Sequence, residues 1–284
     1  MQGTSFRAGL LRCRACEKQF SVTIGTIFED SHVPLAKWIR AFHLMCSSKK
    51  GISSLQLQRN LGLGSYRTAW HMTHRIRLAM KCEPFAGLLK GTVQADETYV
   101  GGKSYGQGKG KGMENKTIVV SLLQNDGPKR SYIIHKANAH TIKALITENV
   151  EKGSNIHTDE FNSYKNLKSD YKHMSVNHAI GQYVRNFKDG SKVTTNTVEG
   201  SFSLLKRGIY GTFHSLSKHH LHRYLAEFDF RWNERKATDV ERTTKALLGT
   251  KGVRLSYKPL IDRTVSNVFQ PEPPVIKHGK PRLP

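Results

Sequence analysis

The sequence predicts an α/β protein: a mixed sheet flanked by helices, preceded by a small helical region and a partial zinc ribbon. Three observations carry that expectation. Between residues 92 and 179, short apolar or alternating runs are interleaved with stretches of helical period, in the order three strands, helix, strand, helix, strand. Residues 31–85 carry helical patterns only. A Cys-x-x-Cys turn, Cys13 and Cys16, stands ahead of both. Antiparallel strands followed by alternating strand and helix suit a sheet covered by helices. The 284 residues divide into a truncated zinc-ribbon remnant (1–30), a helical helix-turn-helix region (31–85), the sheet domain (86–236) and a basic, loosely ordered tail (237–284).

Each element has a local reason. "LLRCRACEKQFSVTIGTIFEDS" places Cys13 and Cys16 in a knuckle-like turn, with Phe20, Val22 and Ile24 alternating after it, as in the second half of a zinc ribbon. A structural Zn²⁺ takes four closed ligands, usually from two knuckles. The upstream knuckle is absent from this sequence, so any zinc site is expected to be incomplete. Cys46 and Cys82 stand alone in helical patterns and read as buried small hydrophobes. Residues 31–51 offer a capping serine, an early proline and Leu35, Trp38, Ile39, Phe42 and Met45 at helical spacing.

Residues 52–80 then read as a short helix (54–60), a glycine turn (61–64) and a second helix from Ser65. This is the helix-turn-helix pattern, with Arg67, His71, His74, Arg75 and Arg77 on outward faces as candidate DNA contacts. Strands are expected at 92–100, 117–123 and 131–135, a helix at 139–150 and a strand ending at Asp159 that runs into a helix. A strand at 171–179, a polar loop at 181–195, a helix from Asn196 and a last clear helix at 217–234 follow. The Gly/Lys-rich stretch 101–112 lacks the Gly-Lys-Ser/Thr ending of a P-loop and reads as a flexible basic hairpin against DNA.

Lys and Arg total 45 against 22 Asp and Glu, a formal charge of +23. That bias makes a compact chain repel itself unless a polyanion is near, and nucleic acid gains most from such cations through counterion release. No run approaches ~18 apolar residues, so no membrane span is expected. The N-terminus has no secretory pattern, which makes the cytoplasm, beside the nucleoid, the expected address.

Against this basic background three acids stand out. Asp96 lies mid-strand, Asp159 at a strand's end where ligand crevices open in α/β sheets, and Glu199 on the helix that begins "NTVEGSFSLLKRG". On that helix Asn196, Glu199, Ser203 and Lys206 share a stripe of about 60°. Gathered carboxylates repel and raise one another's pKa, and a divalent cation resolves the conflict. Two Mg²⁺ ions suit in-line displacement at a phosphodiester. Glu199, or Asn196 one turn before it, is the third ligand; Lys206 and Arg207 reach DNA phosphate. Asp96 and Glu97 are strand neighbours and face opposite sides.

At these residues the chain resembles the DDE-type transposases of bacterial insertion sequences, in the group with an N-terminal zinc ribbon and an RNase H-like catalytic core. The matching stretches are "CRACEKQFSVTIGTIFEDSHVPLAKW", "QADETYVGGK", "HTDEFNSY", "NTVEGSFSLLKRGIYGTFH" and "LHRYLAEFDFRWNER". The resemblance implies cutting of element ends and insertion into target DNA with Mg²⁺ or Mn²⁺. It also implies a homo-oligomer assembled on double-stranded DNA. It puts metal binding on Asp96 and Asp159, accepts either Asn196 or Glu199 in the third position, and matches Lys206. A catalytically dead DNA-binding remnant and another RNase H-like nuclease are the alternative readings.

Overall fold

The computed structural model describes residues 9–81, 87–101, 116–188, 190–255 and 257. A small hairpin comes first, β1 (Leu10–Arg12) against β2 (Gln19–Ser21). Three helices follow: α1 (Leu35–Ser47), α2 (Ser54–Leu61) and α3 (Tyr66–Met80). The chain then enters β3 (Thr92–Val100), β4 (Thr117–Gln124), β5 (Lys129–Ile134), α4 (Ala139–Asn149), β6 (Asn155–Asp159) and β7 (Lys172–Val176). A short hairpin, β8 (Val184–Asn186) with β9 (Lys192–Thr194), leads into α5 (Asn196–Gly208), α6 (Leu221–Asn233) and α7 (Asp239–Leu248).

The central sheet has the order β5-β4-β3-β6-β7. β3 pairs antiparallel with β4, and β4 with β5; β3 and β6 are parallel, as are β6 and β7. The first and fourth strands of the sheet are therefore neighbours, as the strand order in sequence allowed. Side-chain alternation assigns the two faces. Val93 and Ala95 join Ile142, Ile146 and Tyr164 under α4 and the 3₁₀ turn Asn162–Leu167. Val100, Val119 and Leu123 join Val198, Phe202, Leu205 and Phe228 under α5 and α6.

Local chemistry sets the helix ends. Ser53, Ser65 and Asn138 accept hydrogen bonds from backbone N–H groups in the first turns of α2, α3 and α4. Gly62 ends α2 in the left-handed region at φ +57°, which a glycine adopts freely. Gly208 lets α5 lie close to its neighbours: a Cβ there would stand 2.8 Å from the Lys50 carbonyl and 2.4 Å from the Phe228 ring.

Several expectations need correction. Of the outward residues expected on α3, His74, Arg75 and Arg77 are buried. α6 packs across one side of the helix, where Glu227 accepts a hydrogen bond from Arg77 Nε at 2.6 Å, and on another Arg75 donates to the Glu29 carbonyl at 2.7 Å beside the Trp38 ring. The first part of the tail expected to be loose, 237–284, is ordered. Residues 239–248 form α7, which a Thr238–Glu241 capping box starts and which shares a core with α1 through Ala246. The polar loop 181–195 contains the β8–β9 hairpin. After Asp159 the chain makes a 3₁₀ turn, and Ile209–Phe213 adds one π-helical turn after α5. Cys46 is buried, and burial pushes its thiol up to about 12, so it behaves as a small hydrophobe. Cys82, the loop residues 102–112 and the tail beyond 257 lie outside the described residues.

Candidate active site

The site is built from the sheet upward. The parallel ladder of β3 and β6 pairs Thr92 with Asn155, Val93 with Ile156 and Gln94 with His157, then stops. The same offset carries Asp96 to the level of Asp159, on one face of the sheet, just past the last paired residues. Strands that part at their C-terminal ends leave a crevice there. On the other side of Asp96 its partner is Ser121, and beyond that Ser131, joined hydroxyl to hydroxyl at 2.7 Å. Small polar side chains continue the row, and α5 crosses this face.

Gln94 fixes how α5 crosses. It is 1% exposed, two residues before Asp96 and therefore on the same face. Its Oε1 accepts from Val198 N at 3.1 Å, and its Nε2 donates to Thr197 Oγ1 at 3.3 Å and Asn125 Oδ1 at 2.9 Å. The Val198 N–H in α5's first turn and the Thr197 hydroxyl are thus tied to β3. Asn196 and Glu199 stand in that turn. Glu199 Oε1 accepts from Thr195 Oγ1 at 2.5 Å and lies 3.1 Å from His178 Nε2. Sequence reasoning missed Gln94, Thr195 and His178. The signal for Gln94 was an amide at an inward strand position between two apolar neighbours, Val93 and Ala95.

The electrostatics follow from burial. Burial pushes the Asp96 carboxyl up to about 8; Glu97, Asp159 and Glu199 add to the rise, and the Glu97 N–H that Oδ1 accepts at 2.8 Å opposes it. Asp159 Oδ1 accepts from Phe161 N at 3.0 Å, which holds it at the strand end. Glu97 turns to the opposite face, where the buried Tyr164 hydroxyl donates to it at 2.7 Å. Burial raises Glu97 too, and Asp159 adds to that. Carboxylate oxygens are hard donors of the kind Mg²⁺ and Mn²⁺ take, and among the described residues the leading charges acting on Asp96 are carboxylates, so the donor chemistry fits a divalent ion. Among the described residues, no three His, Cys, Asp or Glu side chains converge on one metal-sized point; Glu199 is turned to Thr195 and His178.

The candidate DNA contacts divide. Lys206 and Arg207 are exposed on α5, and Lys206 lines a cavity of about 110 Å³ with Tyr99, Val100 and His214, beyond the end of β3. Arg67 is exposed near the start of α3, its guanidinium 5.7 Å from the Tyr257 ring centroid. His71 is half-buried, 3.2 Å from the Leu255 carbonyl oxygen. His74 is fully enclosed among Trp70, His220 and Tyr224, and Arg75 donates to the Glu29 carbonyl at 2.7 Å. Neither can touch DNA from where it stands. Cys13 and Cys16 sit in the β1–β2 turn, closed by Glu17 N to Cys13 O at 2.9 Å. Backbone and side-chain hydrogen bonds around Cys16 hold the Cys13 thiol below its usual range. Among the described residues, two free thiols stand there, and no group of three or more His, Cys, Asp or Glu side chains forms a metal site.

The sheet is mixed, with Asp96 in the middle of β3 and Asp159 at the end of the parallel neighbour β6. Residues 88–233 match the ISXO2-like transposase domain, more than half of the chain. The chain belongs to that family. It is also 28% identical over 237 residues to a protein of Halobacterium salinarum described as an uncharacterized protein in transposable element ISH50, covering 77% of this chain and 76% of that one.

Proposed function

We propose that the chain is the DNA transposase of an insertion sequence, cutting phosphodiesters at the element's ends and joining the freed ends to target DNA. The observation that carries this reading is the level placement of Asp96 and Asp159 on adjacent parallel strands beneath the first turn of α5. The strand order β5-β4-β3-β6-β7 is compatible with an RNase H-like core. Asp96, Asp159 and Glu199 or Asn196 would hold two Mg²⁺ or Mn²⁺ ions. When bound, such ions neutralise charge at the phosphate and activate water or a 3′-hydroxyl.

The remaining work falls to side chains. Gln94 keeps the first turn of α5 over β3. His178 and Thr195 orient the Glu199 carboxylate. Lys206, two turns along α5, attracts a DNA phosphate. Arg67 is the α3 cation available to duplex DNA, and two copies of the chain meet on the paired element ends. No described helix is long and apolar enough to cross a membrane.

The test is Mn²⁺- or Mg²⁺-dependent nicking of a supercoiled plasmid that carries the element's ends. Wild type nicks it, and Asp159→Ala abolishes nicking while DNA binding persists. Loss with Glu199→Ala but not Asn196→Ala makes Glu199 the third ligand; the reverse makes it Asn196. DNA bound but never nicked by wild type would overturn the enzyme reading in favour of a binding remnant.

A further inference from the structure

A second polar site lies away from the acids, where the end of α1 meets α5, α6 and the start of α7. A cavity of about 350 Å³ there is lined by Lys49, Lys129, Arg231, Trp232, Arg235 and Arg242, with Asp239 as the one carboxylate in its wall. Two of these residues carry buried donors with no partner among the described residues: Arg231 Nη1 and Trp232 Nε1. The rest of Arg231 is committed. Nε and Nη2 donate to the Met45 carbonyl at 3.3 and 3.0 Å, and Nη2 also pairs with Glu227. The Arg231 side chain is 8% exposed.

Guanidinium and indole N–H groups are donors only, and a buried donor without an acceptor is costly. Native proteins leave few such groups, and each asks for an explanation. The other wall charges are partly spoken for. Lys129 faces Asp229 at 3.2 Å, and Arg242 faces Asp239 at 2.8 Å, so the carboxylate in the wall is already neutralised. Arg235 lies over the Trp232 ring at 5.0 Å and holds its carbonyl with Nη1 at 3.0 Å. Lys49 forms no ion pair among the described residues. What is missing is an anion rich in acceptors.

We propose that this cavity binds a phosphate group, with Arg231 Nη1 and Trp232 Nε1 as inner donors and Lys49 and Arg235 at the mouth. The bound form is held by charge-assisted hydrogen bonds. The phosphate can belong to a DNA backbone or to a small phosphorylated compound; only the first source rests on the function proposed above.

The experiment follows tryptophan fluorescence of the full chain as inorganic phosphate, and separately a short DNA duplex, is added. Trp232→Phe removes the indole donor and identifies the signal against Trp38 and Trp70. Arg235→Ala and Lys49→Ala sit at the mouth, outside the buried network, and their folding is checked by thermal melting. The expected result is a change in wild type, lost in Trp232→Phe, with affinity down about tenfold in each mouth variant. A response to duplex assigns the site to DNA, and each mouth variant then lowers the salt slope of duplex binding by about 1. A response to phosphate alone assigns it to a small phosphate compound. No change with either ligand, or equal affinity in wild type and mouth variants, overturns the proposal. If the same preparation still nicks plasmid with metal, the failure is the cavity's and leaves the transposase reading standing.

Discussion

At the scale of single residues, Asp96 is a buried carboxyl among like charges. Burial and three neighbouring carboxylates raise it from an ordinary 3.8 to about 8. The folded value lies above the unfolded one, so the unfolded chain gives up this proton first. The group's contribution to stability is therefore fully present at low pH and fades as pH rises from about 4 to about 8. Asp96→Asn removes that dependence. The metal-free variant should melt above wild type at pH 8, and thermal melting across pH 4–8 reads both effects. A variant that melts lower at every pH would mean that Asp96 is a structural partner and not a cation ligand. Asp96, Asp159 and Glu199 could be singled out in the sequence because acids are scarce in a chain of charge +23; their level placement on neighbouring strands, for Asp96 and Asp159, is what the structure adds. His74 and Arg75 were misjudged on the same logic. Helical patterning sends charge outward, yet an aromatic shell encloses His74, and Arg75 bonds Glu29 and lies 5.4 Å from the Trp38 ring.

At the scale of elements, α5 carries two glycines with opposite roles. Around Gly200 nothing lies within 4 Å of an added Cβ, so Gly200→Ala should stabilise the fold by about 0.5–1 kcal/mol through helix propensity alone. At Gly208 the same Cβ meets a backbone carbonyl and an aromatic ring inside 3 Å. Overpacking costs about 1–3 kcal/mol and outweighs the helix gain of about 1 kcal/mol, so Gly208→Ala should destabilise. Denaturant melts of both variants check the contrast; equal effects would mean that α5 does not sit as described. The strands, α4 and the helices of residues 31–80 were legible from periodicity. The β8–β9 hairpin was not, because its strands are three residues long and mostly exposed and show no apolar alternation. α7 was hidden for a different reason: its apolar contacts are few, and its start depends on the capping box at Thr238 and Glu241.

At the scale of the whole molecule, the helical region and the sheet are joined by a buried ionic network. Arg77 of α3 and Arg231 of α6 both bind Glu227, and Arg231 reaches on to Met45 of α1. Glu227 is fully buried, and its two arginines, working against burial, hold it below the usual carboxylate range. Glu227→Ala leaves two buried cations without their anion and should cost about 3–5 kcal/mol in a denaturant melt; a cost below about 1 kcal/mol would mean that apolar packing alone joins the two parts. No single stretch of sequence contains this network, which spans residues 45 to 231. The sheet's purpose is more local: it sets Asp96 and Asp159 level beneath α5. The most direct test of that placement is calorimetric titration of Mn²⁺ into wild type, Asp96→Asn and Asp159→Asn. Binding in wild type that is lost in each folded variant is the predicted result. Equal Mn²⁺ binding in all three would contradict the account.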